Sequence, residues 1–226
     1  MRFQDAARDA RAVVYAGIQA DPQVAGTAAL LADATPAQRL LARAVMNGET
    51  VDADGWRAMF PALFGSGASG DAAETARSEA ILAASLAVAD RGEQVRSQVR
   101  GALVEELTAQ LLARRVAADA VRRERRILFD GVRAEIHPYD VTVERDGAAE
   151  AYDCKWGARG INADVLHQLD DARTNAANED EPLSVALVVF DARRSCEVRL
   201  ARQTAPHEAT AVITIESLDQ LAGPRA

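Results

Sequence analysis

The feature of this sequence that most restricts its fold is a change of pattern near residue 127. Upstream, apolar residues recur at the three- and four-residue spacings of amphipathic helices, and no strand-like alternation is found. Downstream, short β-rich runs surround one further helical run, "NADVLHQLDDARTNA". Helical and β runs joined in this order predict an α/β fold, in which helices cover a sheet.

The helical part carries clear start and stop signals. "ATPAQRLLARAVMNG" predicts a helix with Thr35 as N-cap, Pro36 in the first turn and Gly48 after the end. A second helix is expected at 72–90, capped by Asp71, and helical spacing continues from about 92 to 125. The stretch "FGSGASGD" predicts a linker. We therefore expect a helical N-terminal region at 1–70 and a second domain at 71–226 that includes its own leading helices.

The β-rich part predicts a sheet with one hairpin. In "HPYDVTVERDGAAEAYDCKWG", Asp146 and Gly147 form a hairpin signal between two alternating runs. "PLSVALVVFD" is a continuous apolar run, typical of a buried strand. We expect further strands at "CEVRLAR" and "AVITI", and a last short helix at "ESLDQLAG".

Charge and composition exclude some classes of protein. The formal net charge of −8 argues against a general electrostatic attraction to nucleic acid or to an anionic membrane, although a local basic patch or a bound metal ion can outweigh it. The two cysteines do not form a C-x-x-C pair. The first residues lack the apolar core of a signal peptide, and the longest apolar run is too short to span a bilayer. A cytoplasmic protein without membrane contact is expected.

The single lysine of the chain, Lys155, lies in "YDCKWG", and every other Lys-or-Arg position is an arginine. Strand alternation places Asp153 and Lys155 on one face and the intervening Cys154 on the other. A hairpin turn near 146–149 would bring Asp140 of the preceding strand beside both. The exact register is left open, because a slip of one residue exchanges the faces.

An upstream helix offers a third carboxylate. Val104, Leu107 and Leu111 form an apolar stripe, and Glu105 lies at its edge, with Glu106 as the alternative. Converging carboxylates repel each other unless a cation lies between them, and oxygen ligands suit Mg²⁺, for which Mn²⁺ can substitute. A lysine beside such an ion is suited to phosphodiester hydrolysis.

Pro138, Asp140, Asp153 and Lys155 together resemble the motif of the PD-(D/E)XK nuclease superfamily, although Tyr139 separates the proline from the first aspartate. The resemblance covers about 96–200. It implies a restriction-endonuclease-like central mixed sheet flanked by helices, here preceded by an all-α N-terminal region. It also implies that Glu105, Asp140 and Asp153 bind metal, that Lys155 is catalytic, and that Gln168 faces the site from the helix after the third strand.

The expected activity is that of a Mg²⁺-dependent endonuclease acting on DNA, with RNA as another possible substrate, in defence or repair. The arginines at 122, 123, 125 and 126 are candidate contacts to the phosphate backbone, and a solvated helix face is the alternative. A homodimer or a protein partner bound through the N-terminal helices is expected. A non-catalytic scaffold module of the same fold, a phosphohydrolase for small substrates, and a metal site using His137 and His167 are the competing interpretations.

Overall fold

The computed structural model describes residues 1–6, 10–65, 71–131, 137–145, 147–206 and 209–223. The chain divides into two compact units. The sheet unit consists of Met1–Ala12 and Thr108–Ala226, and the helical unit consists of Val13–Leu107. The boundary expected near residue 70 falls inside the helical unit, and most of the expected linker, residues 66–70, lies outside the described residues.

The sheet unit contains a six-stranded mixed sheet with flanking helices, and the strands lie side by side in chain order. The first three pairings along the sheet are antiparallel, whereas the last two are parallel. The strands are β1 Arg2–Asp5, β2 Val121–Leu128, β3 Tyr139–Arg145, β4 Ala148–Lys155, β5 Leu183–Val189 and β6 Ala211–Ile213. The expected α/β class is therefore confirmed.

Nine α-helices are found in the described part of the chain, and none of them has the length and hydrophobicity needed to cross a bilayer. They are α1 Ala10–Gln19, α2 Pro22–Ala32, α3 Pro36–Asn47, α4 Ala53–Met59, α5 Pro61–Phe64, α6 Ala72–Ala89, α7 Glu93–Leu112, α8 Ala163–Asn178 and α9 Arg193–Leu200. Short 3₁₀ turns occur at Ala118–Ala120, Ala158–Gly160 and Leu218–Ala222.

Two helices of the helical unit, α3 and α6, begin where the capping signals predict. Thr35 accepts a hydrogen bond from the Gln38 amide, and the Gln38 side chain accepts one from the Thr35 amide, at 3.3 and 2.9 Å. This reciprocal pair is a capping box and satisfies two of the amides left over at a helix start. Asp71 caps α6 with a single bond, which its side chain accepts from the Ala73 amide at 2.8 Å. Both predicted helix starts are confirmed.

The β3–β4 hairpin is also confirmed. Arg145 pairs with Ala148, so the connection consists of Asp146, which lies outside the described residues, and Gly147. Gly147 has φ +74°, a left-handed conformation that glycine adopts without a steric penalty. The register continues to Val141 opposite Tyr152. One residue further in the same register, Asp140 comes opposite Asp153.

Two strands lie where helix was expected. The helical pattern at 92–125 ends at Leu112 in α7, and Val121–Leu128 forms β2. Arg2–Asp5 forms β1 and pairs with β2, so the first residues belong to the sheet and the expected all-α N-terminal region is wrong in this respect. The physical reason is pairing on both sides: β2 bonds to β1 and β3, and this satisfaction of the backbone overrides the helix propensity of arginine and glutamate.

One predicted strand is a helix. "CEVRLAR" lies mostly in α9, which connects the parallel strands β5 and β6. Parallel neighbours need a crossover connection, and a helix is the usual solution. Cys196 is the buried residue of α9 and belongs to the apolar core of the sheet unit. The strands at "PLSVALVVFD" and "AVITI" are confirmed as β5 and β6, and the final helix is the 3₁₀ turn at Leu218–Ala222.

The core of the sheet unit lies largely between α8 and the sheet. Leu166 and Leu169 of α8 are buried in one cluster with Leu187 and Val189 of β5. The helix starts at Asn162, whose side chain accepts a hydrogen bond from the Val165 amide at 3.0 Å. Because α8 packs on the strand beside β4, the end of β4 that carries Asp153 and Lys155 is held in a rigid part of the fold.

Candidate active site

The hairpin register brings Asp140 to the end of β4. The Asp140 carboxylate accepts a hydrogen bond from the backbone amide of Cys154 at 2.5 Å. Cys154 stands between Asp153 and Lys155, so this bond ties the first aspartate of the motif directly to the D-x-K segment. The Cys154 side chain is buried and lies 3.5 Å from the Thr108 hydroxyl, which agrees with its expected place in the core.

Asp153 and Lys155 form an ion pair, as expected for residues that share one face of a strand. Asp153 is only 5% exposed, and the Lys155 side chain retains 27% of its exposure. Burial acts to lower the pKa of Lys155, but the charges of Asp153 and Asp140 outweigh it and raise that pKa above its usual value. The ion pair with Asp153 and the nearby charge of Asp140 therefore favour the charged form of Lys155.

Glu124 is a carboxylate that the sequence reasoning missed. It lies in the middle of β2, where Arg123 pairs with Val141 and Arg125 with Tyr139, so Glu124 comes opposite Asp140. Carboxylate oxygens of Glu124 and Asp140 lie within 4.8 Å of each other. Glu124 also has φ +53°, an uncommon backbone conformation for a residue other than glycine. The one acidic residue within "VRRERR" would have been the signal, had the segment been interpreted as a strand.

This donor set suits a hard cation. Two carboxylates directly opposite on antiparallel strands destabilise the pairing unless positive charge lies near them. Carboxylate oxygens are the ligands that Mg²⁺ prefers, and it needs only one or two of them, since it keeps several waters. Among the described residues, no histidine or cysteine joins a group of three possible metal ligands, so the site has no zinc-like character.

Glu105 lies in α7 within the helical unit, where its carboxylate is 5% exposed. It accepts hydrogen bonds from the Tyr15 hydroxyl at 2.5 Å and from the Gln19 side-chain amide at 2.7 Å. The neighbouring Glu106 is half-buried. The burial of Glu105 and its two donors fit a functional side chain better than a solvated surface. Glu105 belongs to the helical unit, whereas Asp140 and Asp153 belong to the sheet unit. The expected convergence of Glu105 with these two aspartates stays a prediction.

Gln168 lies on α8 and contacts the chain just before β3. Its side-chain amide donates to the His137 carbonyl at 3.2 Å, and the Tyr139 hydroxyl donates to the Gln168 carbonyl at 3.3 Å. These two bonds connect α8 to the start of the strand that carries Asp140. His137 itself is exposed, as is His167. The expected role of Gln168 in the site stays a prediction, and the observed role is to anchor this strand.

The dense arginine block does not form a helix face. Arg122, Arg123, Arg125 and Arg126 all lie on β2. Arg125 forms ion pairs with Glu144 and Asp5, whereas the side chain of Arg122 is exposed. Arg115, which precedes β2, forms an ion pair with Glu150. Part of the block therefore stabilises the sheet, and Arg122 is the member best placed to meet an external phosphate.

In comparisons with known proteins, no family model, no curated protein and no solved structure matches this chain at a significant level. The interpretation of the site consequently depends on its own residues and geometry.

Proposed function

We propose that the protein is a Mg²⁺-dependent nuclease that hydrolyses phosphodiester bonds, with DNA as its substrate. The observation that carries this proposal is the cluster of Asp140, Asp153 and Lys155 at the adjoining ends of β3 and β4. Asp140 is distant in sequence from Asp153 and Lys155, and the hairpin register is what brings it beside them. Two carboxylates can bind a cation, and the lysine beside them can bind the phosphate that the cation also contacts.

The order of elements also supports the resemblance to the PD-(D/E)XK nucleases. A helix with Glu105, a strand with Asp140, a hairpin, a strand with the D-x-K segment, a helix with Gln168 and an apolar strand were expected in that order. The chain has α7, β3, β4, α8 and β5 in these places. The additional strand β2, between α7 and β3, contributes Glu124.

Each residue has a defined part in the proposed reaction. Asp140 and Asp153 would hold Mg²⁺, with Glu105 as the third ligand that the resemblance assigns and Glu124 opposite Asp140. The bound ion supplies Lewis-acid stabilisation of the phosphate and a more acidic water. Lys155, held by Asp153, presents hydrogen-bond donors to a phosphate oxygen or to the attacking water. Gln168 keeps the start of β3 in place through the His137 carbonyl.

Substrate binding in this proposal is local, because the whole chain is acidic. Arg122 and its neighbours on β2 provide positive charge on the strand that also carries Glu124. The helices within residues 1–70 are proposed to bind a second copy or a protein partner that helps to locate the nucleic acid.

The test is a cleavage assay with purified protein on linear, circular and single-stranded DNA and on RNA, in Mg²⁺ or Mn²⁺. Asp140→Asn and Lys155→Ala should abolish cleavage, as should EDTA, and cutting of the circular substrate shows endonuclease action. Glu105→Gln should lower cleavage strongly, whereas its matched control Glu106→Gln should not. A folded protein that neither cleaves any of these substrates nor binds Mg²⁺ or Mn²⁺ in calorimetry contradicts the proposal and favours the scaffold module.

A further inference from the structure

We infer that Gly160 is a positioning residue for Lys155, because the missing side chain at Gly160 leaves the space in which the aliphatic chain of the lysine lies. A Cβ atom at Gly160 would be 2.9 Å from each of Cβ, Cγ and Cδ of Lys155. Carbon atoms that are not bonded pack at about 3.5–4.0 Å, so Lys155 and a larger residue cannot occupy these positions together. The catalytic importance of this contact rests on the proposed function, but the contact itself does not.

The need for glycine here is steric rather than conformational. Gly160 is absent from the described glycines with positive φ, which are Gly131, Gly147 and Gly223. Its backbone is therefore accessible to alanine. The three close atoms belong to the stem of the lysine next to the main chain, and a rotation of the terminal ammonium group alone would not relieve the contact.

The turn that carries Gly160 is fixed at both ends. Asp191, which is 4% exposed, accepts a hydrogen bond from the Ala158 amide at 3.0 Å. Arg199 of α9 donates to the Ile161 carbonyl at 2.8 Å. Ala158 and Ile161 are both buried in the core cluster of the sheet unit. A turn held in this way resists displacement, so an added methyl group at Gly160 would move Lys155 instead.

The main chain of Lys155 is held just as firmly. Its carbonyl accepts a hydrogen bond from the Phe190 amide at 2.8 Å, and Lys155 pairs with Val189 of β5. The next residue, Trp156, stacks on the Phe190 ring with centroids 5.0 Å apart. With main chain and turn both fixed, an added methyl group at Gly160 would force Cγ and Cδ of Lys155 into another rotamer, while its contact with Cβ would remain as strain. In the present rotamer the ammonium group is directed to Asp153.

The first test is a double-mutant cycle on stability. Gly160→Ala should lower the Tm by about 2–4 °C in the parent protein, and should have little effect in a Lys155→Gly background, where Cβ, Cγ and Cδ of residue 155 are all absent. Gly26→Ala is the matched control, because Gly26 is exposed in α2 and nothing lies within 4 Å of an added Cβ. An equal loss of Tm in both backgrounds would overturn the inference.

The second test follows Lys155 directly. Because the chain has one lysine, protein grown with lysine labelled with ¹³C at Cε gives a single side-chain NMR signal from that residue. Gly160→Ala should shift this signal, and Gly26→Ala should leave it in place. An unchanged signal in folded Gly160→Ala protein would contradict the positioning role.

The third readout is kinetic and depends on the proposed function. Gly160→Ala should lower kcat for DNA cleavage by roughly 10- to 100-fold, with KM little changed, since a misplacement of about 1 Å has this consequence in catalysis. If the parent cleaves nothing, the proposed function fails while the stability and NMR tests still decide the role of Gly160. If the parent cleaves and Gly160→Ala cleaves equally well, the inference fails and the proposed function stands.

Discussion

The strands β2 and β4 have eight residues each and lie on either side of β3, yet they are stabilised in different ways. Five residues of β4 are buried, among them Ala151 and Tyr152, whereas Ile127 is the one buried residue of β2. Both strands are paired on both sides, but burial adds to the stability of β4, whereas the ion pairs of Arg125 add to that of β2. An apolar pattern in a sequence reveals the first kind of strand and conceals the second.

The two strands also differ in the cation that they use. β2 carries four arginines and β4 carries the single lysine of the chain. Arginine has a wide planar group that suits ion pairs with carboxylates at a surface, whereas lysine has a compact ammonium group on a flexible stem. The contact between the lysine stem and Gly160 adds a steric reason for the difference.

The largest expected effect comes from replacing Lys155 of β4 with arginine, the cation that β2 carries. Lys155→Arg should lower kcat for DNA cleavage by roughly 100- to 1000-fold, because the larger guanidinium group cannot place its donors where the ammonium group stands. The measurement is steady-state cleavage with circular dichroism as a test of folding. Arg159→Lys, at an exposed position in the nearby turn, is the matched exchange and should leave kcat unchanged. Full activity in Lys155→Arg would show that charge alone suffices.

A smaller effect is expected at Glu150, where β4 forms an ion-pair network of its own. Arg115 donates to Glu150 at 2.9 Å and Arg145 at 3.0 Å, and the Tyr152 hydroxyl donates as well. Burial acts to raise the pKa of Glu150, but these partners outweigh it and hold the pKa below its ordinary value of 4.5. The ionised carboxylate therefore stabilises the fold above about pH 4.5, and this contribution is lost as the pH falls through the lowered pKa.

Glu150→Gln should accordingly lower the free energy of unfolding by about 1.5–3 kcal/mol at pH 7, the range for hydrogen bonds to charged groups. The difference from the parent protein should become smaller as the pH falls below about 4. Urea denaturation at pH 7, 5 and 3.5 measures this. A difference that stays constant with pH would show that the shape of the side chain, rather than its charge, is what Arg115 recognises.

The sequence predicted the features that depend on residues close together in the chain, and missed those that depend on residues far apart in it. Thr35 and Gly147 act within a few residues of themselves, so the α3 start and the β3–β4 hairpin, with Asp140 beside the D-x-K segment, were predictable. Glu124 was not, because β2 is a strand through its pairing with β3 and with β1, and β1 is more than 100 residues away. Gly160 was not found either, since the nearness of its Cα to the Lys155 stem depends on the turn held by Asp191.

The smallest expected effect tests whether β2 depends on its ion pairs. Arg125 is 16% exposed in its side chain and bonds to Glu144 at 2.7 and 3.1 Å, so Arg125→Ala leaves a partly buried carboxylate without this partner. We expect a loss of about 1–2 kcal/mol in the free energy of unfolding, measured by urea denaturation. The exposed Arg122 on the same strand is the matched position, and Arg122→Ala should change stability by less than about 0.5 kcal/mol. The Arg125→Ala loss should become smaller in high salt, since screening weakens an ion pair in the parent protein. Equally small losses at the two positions would show that β2 is held by its main-chain pairing rather than by the ion pairs of Arg125.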